Sequence, residues 1–358
     1  MANVKPIFPR GAEWRQWDLH VHTPASFEWK GGKHFFEMTG AEKTASIDQM
    51  ISALNQSEPT VFVLMDYWTF DGWFALKKRL TDAGAPQLQK TVFPGIELRL
   101  VSPTKFRLNA HVVFADDVSD QDLNNFKSKL DVALINQPLS DECLIRLARE
   151  KVGDDLIKQI GLDPKAVAKD AVAALLAGSK TAEISSATYQ DAIKKVPDGK
   201  AIGFMPWDTN DGLAKADWKK HYAYVIGLMN SSPIFETRRQ ELWAAFTGVK
   251  TEDNKEWFDA FQSALDNMPR LAVSGSDAHS FAGYGKFPSG KTTWIKADPT
   301  FLGLLQAIKE PAKRSYIGER PQKLVEVAEN KTYFIESLVV EKNQGCPITD
   351  HWLILLCQ

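Results

Sequence analysis

At 358 residues the chain is long enough for two average domains or one large α/β barrel, and its 44% hydrophobic content can fill a sizeable core. A net charge of −2 argues against a strongly basic protein that coats nucleic acid non-specifically, while leaving room for a local basic patch at a site. No run of about 18 apolar residues occurs, no apolar secretory segment opens the chain, and none of the three cysteines has CxxC spacing; the expectation is a cytoplasmic protein with free thiols and no membrane span.

Short apolar runs, apolar on both faces, read as buried strands in chain order: 17–22, 61–66, 91–97, 110–115, 201–207, 233–236 and 271–277. Helical patterns lie between several of them: 46–55 behind a candidate N-cap at Ser46, then 72–80 and 300–308. Strands alternating with helices predict a parallel sheet. Seven strands with polar residues at their C-terminal ends predict an α/β fold closed as a TIM-like barrel, with the active site at that end. An open doubly wound sheet is the alternative. Residues 116–200 carry helix-period patterns and read as a helical insertion between the fourth and fifth strands, a solvated elaboration that could recognise a substrate or partner. The barrel unit is expected to span 1–322. A C-terminal extension, 323–358, holds one further strand at 334–341 and an apolar end, HWLILLCQ, that calls for cover by a partner or a downstream domain.

The chemistry-bearing residues fall on the strands. His20 and His22 are two apart and therefore share a face of the first strand. Asp277 and His279 repeat that spacing at the end of the last, after Ser274-Gly275-Ser276, where glycine permits close backbone approach. Glu97 closes the third strand, Asp66 closes the second, and His111 lies on the fourth. Nitrogen and oxygen donors without thiolate suit Zn²⁺, Mn²⁺ or Fe²⁺. Glu97 is placed to bridge two such ions, a pair that can activate water and clamp phosphoryl oxygens.

The ordered segments HVHTPAS, PGIEL, NAHVVF and SGSDAH resemble the four motifs of the PHP (polymerase and histidinol phosphatase) domain over roughly residues 14–320. That resemblance implies a distorted (β/α)7 TIM-like barrel with a two- or three-metal phosphoesterase site. It assigns His20, His22, Glu97 and Asp277 to a first metal and Glu97 and His111 to a second. Asp66 and His279 would lie near a third metal or hold the nucleophilic water and move protons. WDLHVHTPASFEWKG, MPWDTNDG, SPIFETRR and KTTWIKADPTFLGLLQAIKEP resemble the TrlF-type branch, in which the barrel is joined to an SMC-like ATPase. This implies an ATPase domain or partner and DNA-related, antiviral roles. Three positions depart from the family pattern: Phe27 (followed by Glu28), Tyr67, and the Met205-Pro206-Trp207 region, with Asp208 or Glu236 as substitute oxygen ligands. These departures motivate the alternative of a degenerate barrel acting as a regulatory module.

Arg99, just past Glu97, is a candidate for neutralising a phosphoryl group, as are Arg238 and Arg239; surface ion pairing is the ordinary role for each. Gly285–Thr292 matches GxxxxGK[ST] but leads into a strand-like TTWIKA, so it reads as a decoy with Lys291 at most touching a phosphate. The expected substrate is a phosphate ester, with DNA or RNA among the options. Trp17, Trp29, Trp68, Trp73 and Trp207 wall the pocket or stack a base, or else pack the core; His34 reads as a solvated loop residue with a lid role as the alternative, and His221 and His351 as structural.

Overall fold

The computed structural model describes residues 12–209 and 211–330. All seven expected strands are present: β1 (Trp14–Val21), β2 (Val61–Leu64), β3 (Thr91–Leu100), β4 (Leu108–Phe114), β5 (Ala201–Pro206), β6 (Ile234–Glu236) and β7 (Leu271–Val273). Two more, β8 (Thr293–Lys296) and β9 (Ser315–Ile317), extend the sheet beyond β1, giving the order β9-β8-β1-β2-β3-β4-β5-β6-β7. The chain after β7 returns to β1. Val21 bridges Ala278, and Asp277 N–H donates to the His20 carbonyl (3.0 Å). The result is a nearly closed, barrel-like sheet of α/β type.

The sheet is mixed rather than parallel throughout. β4 runs antiparallel to both β3 and β5. The reason is the short connection over 101–107: a parallel neighbour requires a crossover of a dozen or more residues, and only a hairpin fits here.

Side chains alternate in and out along each strand. One apolar cluster gathers Trp17, Leu19, Val63, Phe93, Val113, Phe204, Ile234 and Val273 inside the barrel, with Phe301 and Leu304 of the helix Phe301–Lys309 closing its floor. A second, larger cluster lies between the outer faces of the strands and the helices. Pairing between β1 and β2 shifts register between Asp18 and Val21. Past that irregularity His20 and His22 occupy the mouth above Trp17 and Leu19, the kind of re-aiming a bulge achieves beside a site.

Helix α1 (Gly40–Gln56) begins before the expected Ser46, which is buried within it. The true cap is Thr39, which forms a reciprocal capping box with Glu42. α2 (Asp71–Arg79) follows β2 as expected. The insertion contains α3 (Asp120–Lys127), α4 (Asp141–Glu150), α5 (Asp154–Gln159), α6 (Pro164–Lys169), α7 (Ala171–Thr181) and α8 (Ser186–Lys194). It is seated on the barrel mouth rather than merely solvated. Ile184 exchanges backbone hydrogen bonds with β3, its N–H reaching Arg99 O (2.8 Å) and its carbonyl receiving Val101 N–H (2.8 Å).

Residues 285–292 form a short turn over Pro288–Gly290 and enter β8, with no helix to receive a phosphate. Among the described residues no helix is long and apolar enough to cross a membrane. The expected strand at 334–341, His351 and the apolar C-terminal end lie outside the described residues.

Candidate metal centre

The inward face of β3 reads Phe93, Gly95, Glu97, Arg99 from floor to mouth, so the carboxylate sits above the apolar layer. β4 runs the other way and presents Val113, then His111, then Asn109 to the same mouth. Glu97 and His111 are direct cross-strand partners, with His111 Nε2 3.3 Å from Glu97 Oε1. The other carboxylate oxygen, Oε2, lies 3.3 Å from His20 Nε2 and 3.4 Å from His22 Nε2. Asp277 Oδ1 completes this side at 3.5 Å from His20 Nε2, 3.6 Å from His22 Nε2 and 3.3 Å from His279 Nε2. Gly275 permits the approach: a Cβ there would stand 2.5 Å from His20 Cβ.

These spacings carry a chemical meaning. Four donors at the corners of a tetrahedron, each about 2.0–2.2 Å from a central cation, stand roughly 3.3–3.6 Å apart. His20, His22, Glu97 and Asp277 meet that requirement along four edges. Both ring nitrogens of His22 and both of His111 are buried without a hydrogen-bond partner. Leaving such groups unsatisfied costs about 1–3 kcal/mol each, and a cation bound at Nε2 would remove that cost for the ligating nitrogen of each ring. The donor set therefore fits a divalent ion, and the two oxygens of Glu97 face two separate groups of nitrogens.

Charge follows the same pattern. Burial and the neighbouring His279 push His22 down to about 4, so its imidazole is neutral and its lone pair free. His20 is opposed by burial, yet Glu236 and Asp277 outweigh it and raise the ring well above the usual histidine value. Burial would raise Glu97, but His111 and His20 hold it far below the carboxylate range; His20 and His22 do the same for Asp277. The cavity at the mouth has a volume of about 300 Å³. Its walls carry five carboxylates, Glu28, Glu97, Asp211, Glu236 and Asp277, against Arg99, Arg107 and the protonated His20, so it attracts cations before anions.

Glu236, weighed in sequence as a substitute ligand, accepts a hydrogen bond from His20 Nδ1 (2.9 Å). A carboxylate only accepts, so Nδ1 keeps its proton and Nε2 is the nitrogen that would bind an ion once its own proton is displaced. Asn109 escaped notice in the sequence, although it lies two residues before His111 on the same face. Its amide donates to Glu97 Oε1 (2.6 Å) and steadies the bridging position.

Other candidates are placed differently. Asp66 stands outside the donor cluster: its oxygens accept from Thr23 N (2.7 Å) and Thr23 Oγ1 (2.6 Å), and burial raises it to about 7. It ties the end of β2 to the residue after His22. His279 stacks on His22 with ring centroids 4.1 Å apart and has an unpartnered Nδ1.

Arg99 is buried rather than paired on the surface. Its Nη1 donates to the carbonyls of Lys180 (2.7 Å) and Ser179 (3.3 Å), and the guanidinium lies over Phe27 and Tyr67 at 5.2 and 5.0 Å. Two departures from the family pattern thus form an aromatic cradle for Arg99. Met205 faces the outer core, leaving Pro206 as the β5 residue at the mouth. Arg239 pairs with Glu241 on the surface (2.5 Å). Among the described residues no tryptophan lines the metal-centre cavity; Trp17, Trp29 and Trp73 are buried in the core, and Trp207 packs on Phe235, Phe246 and Phe261.

No protein-family profile matches the sequence, and no curated protein matches it. Several solved structures are similar at low scores. One is an amidohydrolase from Chromobacterium violaceum with bound sulfate and no metal (14% identity, 76% of this chain and 91% of that one, TM-score 0.41). Another is a metal-dependent phosphoesterase, so described, from Bifidobacterium adolescentis (14% identity, 77% and 90%, TM-score 0.36). A third is the lesion-specific endonuclease EndoQ from Pyrococcus furiosus (12% identity, 85% and 58%, TM-score 0.42). At these scores the likeness assigns neither activity nor substrate to this chain.

Proposed function

We propose that the chain is a metal-dependent phosphoesterase of the PHP type that holds two divalent ions and hydrolyses phosphate esters, nucleic acid or nucleotides among them. One observation carries the reading: the donor atoms of His20, His22, Glu97 and Asp277 stand at ligand spacing, while the second oxygen of Glu97 faces His111. Asp211 and Glu28 add to a lining that would repel a bare phosphate, so an anionic substrate needs cations in place first.

A divalent ion supplies Lewis acidity to a phosphoryl oxygen and lowers the pKa of water. The protein supplies the rest. Glu236 fixes the tautomer of His20, and Asn109 orients Glu97. Arg99, anchored by backbone carbonyls and cradled by two rings, presents a fixed positive charge to phosphoryl oxygens. His279 is partly exposed at the cavity, with Nε2 at the donor cluster 3.3 Å from Asp277 Oδ1, where it can move a proton. Phe27 and Tyr67 fill positions without breaking the donor set, which counts against a degenerate site.

The test is hydrolysis of bis(p-nitrophenyl) phosphate by the purified chain with Mn²⁺ or Zn²⁺. Activity lost on chelation and in Glu97→Ala supports the reading. Activity indifferent to both removes it.

A further inference from the structure

A second cavity, of about 340 Å³, opens between the barrel mouth and the insertion. Its lining is aromatic and aliphatic: Phe27, Phe35 and Phe36 from the loop after β1, Phe74 from α2, and Leu144 and Leu175 from α4 and α7. Tyr67 is a wall of both cavities. The backbone explains why they adjoin. Tyr67 bridges Glu97, and Trp68 N–H donates to the Glu97 carbonyl (3.1 Å), so one short segment places Tyr67 beside the metal centre and Trp68 beside the apolar cleft. Trp68 adopts a left-handed backbone (φ 64°), which a bulky residue rarely takes, and its indole N–H is fixed on the Ser179 carbonyl (2.9 Å).

The cleft has polar groups at its margin. Asp71, Asp141, Thr69 and Lys43 line it, Lys43 with its ammonium over the Phe35 ring (5.5 Å), and neither carboxylate forms an ion pair among the described residues. Phe36 is 49% exposed and Val172 42%, leaving apolar surface at the opening. An apolar slot lined by aromatic rings and edged by carboxylates, a hydroxyl and the Lys43 ammonium matches an aromatic ring that carries both N–H donors and acceptors. A purely aliphatic group would use none of these polar partners.

We propose that this cleft is a nucleobase subsite, and that the substrate of the adjoining centre is a nucleoside phosphate or a nucleotide within a strand, its base lodged past Tyr67. The choice of substrate rests on the phosphoesterase reading; the base-binding property of the cleft does not. Stacking on aromatic side chains tolerates different bases, because every base has a π-face.

The deciding experiment titrates the full chain with adenosine and with thymidine, which lack phosphate, and with ribose 5-phosphate, which lacks a base. Calorimetry and tryptophan fluorescence provide the readouts. Both nucleosides should bind saturably without added metal. Leu175→Trp, which fills the slot, and Phe36→Ala, which removes an exposed ring without disturbing the core, should each weaken that binding about fivefold or more. Neither variant should change ribose 5-phosphate binding in the presence of Mn²⁺. Absence of nucleoside binding, or equal binding by parent and Phe36→Ala, overturns the subsite. If nucleosides bind as expected but no phosphate ester is cut, the subsite stands and the phosphoesterase reading falls. If ribose 5-phosphate and nucleotides are cut with equal kcat/KM and nucleosides do not bind, the reverse holds.

Discussion

Glu97 and His111 face each other directly across the antiparallel pair β3–β4, with Nε2 and Oε1 3.3 Å apart. This pairing sets the two halves of the centre, because the other oxygen of Glu97 looks toward His20 and His22. Glu97→Gln retains the shape and one oxygen but loses the charge and half the bridging capacity. It should lower metal stoichiometry and reduce hydrolysis by about a hundredfold or more while the chain stays folded. Metal analysis, circular dichroism and kinetics on the same preparation check this together; undiminished metal content in the variant contradicts it.

Glu236 acts through His20 rather than on a substrate. Glu236→Gln can still meet Nδ1–H through its amide oxygen, yet it loses the charge that favours the donating tautomer. Metal affinity should fall about tenfold to a hundredfold. A purely structural role would lower the melting temperature and leave the affinity of the folded protein unchanged, so competitive chelator titration separates the two.

How much of this was legible in the sequence depends on range. His20 and His22 declared a shared face by their spacing, and Glu97 and Asp277 ended apolar runs where a barrel places its site. The reversed direction of β4 was not legible: the apolar runs end at 97 and resume at 110, which leaves room for a crossover, and only the longer strands of the structure shorten the connection to 101–107. The anchoring of Arg99, likewise, depends on carbonyls at Ser179 and Lys180, contributed by an insertion about eighty residues away. No local pattern reports that contact. Asp66 looked like a ligand because it ends a strand; its oxygens are instead taken by Thr23, whose position depends on how the first loop folds back. Glu236 was ambiguous because a strand-end carboxylate is common, and only the three-dimensional partner His20 distinguishes it.

Metal uptake should be pH-dependent with a definite sign. Despite its burial, the His20 ring stays protonated to higher pH than an ordinary histidine, because Glu236 and Asp277 hold the proton in place. An ion must displace that proton from Nε2, so apparent affinity should rise with pH until His20 is neutral in the metal-free protein and level off above. His22, pushed down to about 4, adds nothing to the slope above roughly pH 5. Calorimetry in two buffers of different ionisation enthalpy should show proton release on binding at pH 6. A flat profile, or proton uptake, contradicts this account.

Asp18 is buried and gathers three backbone donors: Ser276 N (3.0 Å), Gly285 N (3.1 Å) and His20 N (3.4 Å). It thereby joins β1 to the loop that carries Asp277. Asp18→Ala leaves those N–H groups without their acceptor and should destabilise the fold by about 2–4 kcal/mol. Urea unfolding measures the loss; a change under about 0.5 kcal/mol would show that solvent replaces the carboxylate freely.

The most direct test is anomalous scattering from crystals grown with Zn²⁺ or Mn²⁺, collected on both sides of the absorption edge. One peak should lie enclosed by His20, His22, Glu97 and Asp277, and a second beside Glu97 and His111. With metal in excess, density at neither position, or ions bound only elsewhere on the molecule, would contradict the central claim that these side chains form a metal centre.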